Sequence, residues 1–367
     1  MMCPDGFTGT MSANEAAEAM KAGWLETCPT DEVVVMPLSD GGPGFIDSVV
    51  QALGATRHVV MVRGPNADTV PAQFASLGEH AWIESAQACG LHLVAQSDRD
   101  PKHLSTYGVG QLIEAAIELG CSTITVGLGG SATNDGGAGA LAALGATCVG
   151  GSLDQGGSAL LAITSVDLRI ARARVSQVQI VAATDVDNPL LGLRGATNVF
   201  SRQKGADDSD VMHLEGALEH FAQLCAKRPD GKDPAVALGA GAAGGLGYGL
   251  MLLGAHRVAG IDTVMQIVNI ANEMSRCDVI ITGEGCLDDQ SLSGKVVAGV
   301  ARQARDVGKP CIAIAGIVRL GKREASAAGL DSTYSMSELV GSQLSVSSPI
   351  EAIRTVSARV AKTWGRL

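Results

Sequence analysis

Thr123-Ile-Thr-Val-Gly-Leu-Gly-Gly-Ser-Ala-Thr-Asn-Asp-Gly-Gly137 runs from a β-branched, apolar stretch into a glycine-rich turn. A small-residue helix pattern starts at Ala138. Strand, glycine turn and helix in that order describe one unit of an α/β fold. Working outward, Val109, Leu112, Ile113, Ala116 and Ile117 lie on one helical face that stops at Gly120. Upstream, Glu32 to Leu38 reads as a buried strand, Phe45, Ile46, Val49, Val50 and Leu53 as a helical stripe, and His58 to Val62 as another strand. Downstream, strands are expected at Gln179 to Ala183, Asp278 to Thr282 and Cys311 to Ile317, with helices through Leu214, Ala217, Leu218 and Phe221 and after Gly294. Ser12-Ala-Asn-Glu15 and Ser348-Pro-Ile-Glu351 have the form of capping boxes, the second with Pro at the first helical position. The pattern predicts an α/β fold with mostly parallel sheets. At roughly 100–200 residues per domain, the 367 residues make two domains. No repeat or linker separates them, so they are expected to interleave.

Composition narrows the class. The net charge of -11 argues against a nucleic-acid or anionic-membrane partner, both of which need clustered Lys and Arg. A few local cations still suffice for a small anionic substrate. Nine scattered cysteines without a CxxC read as reduced thiols in a cytoplasmic protein. Pro4, Asp5 and Gly6 break the apolar start, so no signal peptide is expected. Ala235 to Ala255 is uncharged and long enough to span a bilayer, but its seven glycines favour a loop entering a buried helix.

Four segments place glycines, acids and amides just beyond strand ends, where open α/β sheets bind ligands. They are Ser39-Asp-Gly-Gly-Pro-Gly44, the 127–137 turn, Thr184-Asp-Val-Asp-Asn-Pro189, and Thr282-Gly-Glu-Gly285 continuing to Asp288, Gly294 and Lys295. In the 127–137 turn, successive glycines let backbone amides converge on an anion, the helix start adds its positive end, and Ser131, Thr133 and Asn134 add donors. The bland alternative is an ordinary turn. If the strand through Ala183 continues, Asp185 and Asp187 project to one face, a pair suited to Mg²⁺ or to accepting a hydroxyl proton. Their alternative is an Asx turn before Pro189. Glu284 and Asp288 suit metal or nucleophile orientation and Lys295 suits phosphate oxygens, against a solvated surface loop. Gly239-Ala-Gly-Ala-Ala-Gly244 matches a dinucleotide fingerprint, but only Ala235 to Leu238 precede it as an apolar run. Gly294-Lys295 is followed by Val296, so no Walker A loop is present.

Taken in order, these segments resemble the type 1 glycerate kinases almost end to end. Residues 3–13 are similar to the family's APDSFKGSLSA, residues 39–44 to its ADGGEG, and residues 105–110 to its TSYGVG. Residues 127–139 are nearly identical to its GGSATNDGGAG loop, and residues 183–205 are similar to its CDVDNPL and QKGA motifs. Residues 239–247 resemble its glycine-rich helix start, and residues 282–295 its TGEGRxDxQTxxGK. Each match alone is weak; seven in order are specific. The resemblance implies a Rossmann-like parallel-sheet domain, residues 1–62 and 278–367, interrupted by a second, inserted α/β domain, residues 63–277, with the active site in the cleft between them. It also implies transfer of a phosphoryl group from ATP, with Mg²⁺, to a hydroxyl of glycerate, giving 2-phosphoglycerate.

On this reading Asp185, Asp187, Glu284, Lys295 and Arg194 are the catalytic candidates, with Asp185 and Asp187 as metal ligands. Asp40, Gly41, Gly42, Gly129, Gly130, Ser131, Thr133, Asn134, Asp135, Asn188, Lys204, Gly283 and Asp288 are the nucleotide- and substrate-binding candidates. Thr8, Pro43 and Cys286 stand where the family has Lys, Glu and Arg. Those departures support two alternatives: a kinase for another small hydroxy acid, or a degenerate paralogue that binds nucleotide or metabolite. The oligomeric state is not legible in the sequence.

Overall fold

Two short connections fold the chain back on itself twice through residues 56–84. β1 (Thr56–Arg63), β2 (Thr69–Leu77) and β3 (His80–Glu84) form an antiparallel meander. Its second connection turns through Gly78, whose φ of +58° a side chain would strain. β3 then pairs in parallel with β4 (Thr123–Gly127). A separate antiparallel pair, β5 (Thr147–Val149) and β6 (Ser165–Asp167), precedes β7 (Gln179–Ala183) and β8 (His256–Val258). The main sheet has the order β1-β2-β3-β4-β7-β8, with its last three pairings parallel. This computed structural model describes residues 1–7, 10–39, 41–225, 227–289, 291–292 and 296–365.

Chain contacts separate two compact units, residues 41–260 and residues 1–40 with 261–367. The boundaries expected from the sequence lay at 62/63 and 277/278. In the 41–260 unit, Ile83, Ile124 and Val126 of the sheet meet Leu112 and Ile113 of the Tyr107–Glu118 helix in one buried core. The stretch Ala235 to Ala255 contributes the buried Ala242–Leu252 helix, as expected. No helix among the described residues is long and apolar enough to cross a membrane.

The other unit joins the two ends of the chain. β9 (Ile280–Leu287), β10 (Cys311–Val318) and β11 (Ser332–Ser335) form a parallel sheet in the order β11-β10-β9. The first residues extend it: the Cys3 amide donates to Ile281 O at 2.8 Å and the Ile281 amide to Met1 O at 2.9 Å. Residues 33–38 lie beyond them, with the Met2 amide donating to Val34 O and the Met36 amide to Met2 O. Glu32 to Leu38 is therefore extended, yet Val33 to Met36 are only half-buried.

The capping box at Ser12 and Glu15 forms, each side chain bonding the other's backbone amide. The second one does not. Pro349 opens the final helix, but the Ser348 side chain makes no cap bond there. The Ala13–Thr27 and Pro349–Trp364 helices cross at Gly23, where an added Cβ would lie 2.0 Å from Arg354 O. Glycine in a helix interior usually costs about 1 kcal/mol relative to alanine. Here steric exclusion overrides propensity. Gly23→Val is expected to destabilise the protein by about 3 kcal/mol, an overpacking cost, read as a lowered midpoint in chemical denaturation; a midpoint at or above wild type would refute the crossing.

Candidate active site

Four parallel strand ends stand in one row. Glu84 is in register with Gly127, Gly127 with Ala183, and Ala183 with Val258. The 127–137 turn, the 184–195 loop and the residue 41–44 turn all gather at this edge. Glycine makes the gathering sterically feasible. A Cβ at Gly127 would sit 2.3 Å from Gly41 O, and one at Gly129 would sit 2.7 Å from the Gly42 Cα.

The shape of the 127–137 turn depends on Asp135, which is fully buried. Its carboxylate accepts from the Thr106 amide and hydroxyl, both at 2.8 Å, from the Gly137 amide at 3.0 Å and from the Gly139 amide at 3.2 Å. It thereby caps the Ala138–Ala143 helix and ties it to the start of the Tyr107–Glu118 helix. Burial pushes this carboxyl up, against the downward pull of those hydrogen bonds. Lys204, also buried, lies under the same turn. Its Nζ donates to Ser131 Oγ at 2.9 Å and to Thr133 O at 2.7 Å. Burial lowers its ammonium to about 8. Asn134 Nδ2 donates to Thr197 Oγ1 at 3.0 Å. Among the described residues, the Gly129 and Gly130 amides find no acceptor, and Gly130 is exposed with a φ of +64°. The turn thus presents two unused donors over a buried cation, an arrangement that favours an anion.

The dinucleotide-like segment supports this turn from behind. Ala243, Gly244 and Gly245 are all left-handed, and a Cβ at Gly244 would lie 1.9 Å from Thr133 O. The Gly136 amide donates to Gly244 O at 3.0 Å. These glycines serve close backbone packing, and the segment enters from a short 3₁₀ turn, Pro234–Val236, rather than from a strand.

β7 ends at Ala183, so the strand does not carry Asp185 and Asp187 to one face. They stand instead on an irregular loop, because the Thr184 hydroxyl turns back to accept from the Val186 amide at 3.2 Å. Asp185 is half-buried. Asp187 is exposed and pairs with Arg257 at 2.7 Å. Asn188 Nδ2 donates to Arg194 O at 2.7 Å, and Arg194 itself is exposed. Arg63 pairs with Asp154 at 2.7 Å and lies over the Tyr107 ring. Among the described residues no three His, Cys, Asp or Glu side chains form a preformed metal cluster.

In the unit built from the chain ends, Gly283 is buried in β9, where a Cβ would meet Ile314 O at 2.1 Å. Glu284 is buried beside it, and Asp288 is half-buried, with Cys286 Sγ 3.8 Å from its carboxylate. Asp40, Lys295 and Thr8 lie outside the described residues.

Glu84 escaped the sequence reading. It ends β3, is buried, and accepts from the Gly44 amide at 3.0 Å and the Ile46 amide at 3.4 Å through Oε2, and from Gln87 Nε2 at 3.3 Å through Oε1. It serves as the cap of the Phe45–Leu53 helix, whose N-cap residue, Gly44, has no side chain to do so. Burial raises its carboxyl to about 7. The available signal was an acid closing the apolar run Ala81-Trp-Ile-Glu84.

The family model for the glycerate kinase family matches residues 1–365. The chain is 41% identical to a glycerate kinase of Halalkalibacterium halodurans over 92% of this chain and 90% of that protein. It is 39% identical to the glycerate 2-kinase of Escherichia coli K12 over 93% and 91%. A solved structure from Salmonella typhimurium LT2, assigned as a glycerate kinase 2, superposes with a TM-score of 0.76 at 36% identity, covering 99% of this chain and 96% of that one. The chain belongs to the glycerate kinase family.

Two substitutions test the geometry. Asp135→Asn replaces one acceptor oxygen by a donor facing buried amides, and is expected to cost about 3 kcal/mol in unfolding free energy; an unchanged denaturation midpoint would contradict the four-donor arrangement. Glu84 has a folded pKa of about 7 against a reference of 4.5. Its contribution therefore favours the fold below about pH 4.5 and is lost as pH rises through 7, a swing of about 3 kcal/mol. Glu84→Gln should gain thermal stability relative to wild type between pH 5 and 8; a constant difference across that range would refute the assignment.

Proposed function

We propose that this member of the glycerate kinase family is a type 1 enzyme that transfers the γ-phosphoryl group of ATP to a hydroxyl of glycerate, giving ADP and 2-phosphoglycerate in the cytoplasm. The observation that carries the reading is the pair of unused Gly129 and Gly130 amides over the buried Lys204, at the carboxyl edge of parallel strands.

In this reading the Gly129 and Gly130 amides bind phosphate oxygens. Lys204 acts from below: it fixes Ser131 and Thr133 and supplies a positive field without touching solvent. Asp135 holds the turn in shape. Asp185 and Asp187 offer hard carboxylate oxygens on an accessible loop, a donor type that would hold Mg²⁺. Bound there, Mg²⁺ offsets charge on the transferring phosphoryl group. The hydroxyl proton of glycerate passes to a carboxylate of the 184–189 loop as the glycerate oxygen forms its bond to phosphorus and the bond to ADP breaks. Arg194, exposed on a loop fixed by Asn188, suits the glycerate carboxylate. The roles of Asp40, Gly41, Gly42, Gly283, Glu284, Asp288 and Lys295 rest on the sequence resemblance.

A coupled assay of ADP release with glycerate, followed by identification of the product isomer, tests the activity; release no faster than without glycerate would refute it. Asp187→Ala is expected to lower kcat by about 10²–10⁴-fold, the range for a positioned acid–base group. The exposed pair with Arg257 contributes only about 0–1 kcal/mol, so the thermal midpoint should scarcely move. A variant with wild-type kcat would remove Asp187 from the chemistry.

A further inference from the structure

The structure assigns a role to a residue outside the set just described. We propose that Glu84 is a positioning residue for phosphoryl transfer, its carboxylate latching the residue 41–44 turn beside the Gly129 and Gly130 amides. This rests on the kinase reading above.

Three observations carry it. First, Glu84 reaches the turn from the row of strand ends, and its Oε2 accepts from Gly44 and Ile46. Second, Gly44 has no side chain with which to cap the Phe45–Leu53 helix, and Glu84 of β3 supplies a side-chain acceptor to its first turn. Third, the latched turn forms the wall of the anion site. The Gly42 Cα lies where a Gly129 side chain would be, and a Cβ at Gly130 would come within 3.0 Å of the Pro43 ring. A turn that swings free of Glu84 leaves that wall open and the two amides unsupported.

The latch is strongest when Glu84 is ionised, since charged acceptors form the stronger hydrogen bonds. The groups facing it are few. Gln87 donates from the following helix, and Asp47 of the Phe45–Leu53 helix is the one other acid acting on it among the described residues, itself paired with Arg57 of β1 at 2.8 Å. Burial is the dominant influence, and it brings ionisation to about pH 7.

Glu84→Ala and Glu84→Gln, compared with wild type, separate positioning from mere stability. Steady-state kinetics with ATP and glycerate across pH 6–9 and hydrogen exchange of the peptide covering residues 41–53 are the measurements. For Glu84→Ala the KM for ATP is expected to rise about tenfold, with kcat held within about threefold, the signature of lost binding geometry. The 41–53 amides should exchange about tenfold faster than in wild type, while the rest of the chain is unchanged. Glu84→Gln keeps an acceptor and should restore protection, but it should lack the rise of kcat/KM that wild type shows through pH 7. A Glu84→Ala protein with wild-type KM, or a Glu84→Gln protein that keeps the pH 7 limb, overturns the role of Glu84. A wild-type protein that releases no ADP overturns the kinase reading itself.

Discussion

A single buried carboxylate, Asp135, holds the candidate site together. It gathers four donors from two chain segments and so fixes where the 127–137 turn stands above the sheet. Burying a carboxylate is costly unless its lone pairs are filled, and here they are filled by the donors whose positions matter. Lys204 completes the arrangement from beneath. The two buried ionised groups do not form a direct ion pair; each is satisfied by the turn between them, which is thereby fixed at both ends.

Glutamate at position 84 shows a related compromise. It too is buried, reaches fewer donors, and burial moves its ionisation toward neutrality, as burial also pushes the Asp135 carboxyl up. Such a group favours the folded state least at the pH where it binds its partners best. Groups of this kind are characteristic of working sites, where geometry is maintained against a local loss of stability.

The parallel core and the glycine loops were legible in the sequence because their signals are local. The 123–127 strand, the turn after it and the helix from Ala138 appear in one continuous stretch, and each takes the form expected. The α/β class with a parallel-rich sheet followed from that alternation. What local pattern could not reveal was tertiary. The β1–β3 meander was read only in part, since its register depends on pairing rather than periodicity. Whether the strand carries Asp185 and Asp187 was open in the sequence; it stops at Ala183, where the Thr184 side chain competes for the backbone. The Ser348 capping box failed although its residues were present. Glu84 was passed over because nothing in Trp82-Ile-Glu-Ser85 announces a helix start some 40 residues earlier. Only the structure reveals that Gly244 and Gly245, at and just beyond the end of the Gly239–Gly244 motif, accommodate the backbone of Thr133 and Gly136.

One unit draws its sheet from both ends of the chain, with Met1 to Cys3 hydrogen-bonded to Ile281. During synthesis the first forty residues therefore emerge long before the strands that receive them. The 41–260 unit, contiguous in sequence, is free to fold on the ribosome, whereas the Ala13–Thr27 helix must wait for the final helix to be made. Closing so long a loop adds little entropy beyond that of a shorter one, so the burden of the discontinuity is one of time: the Ala13–Thr27 helix stays exposed to chaperones and proteases until residues 349–364 are made.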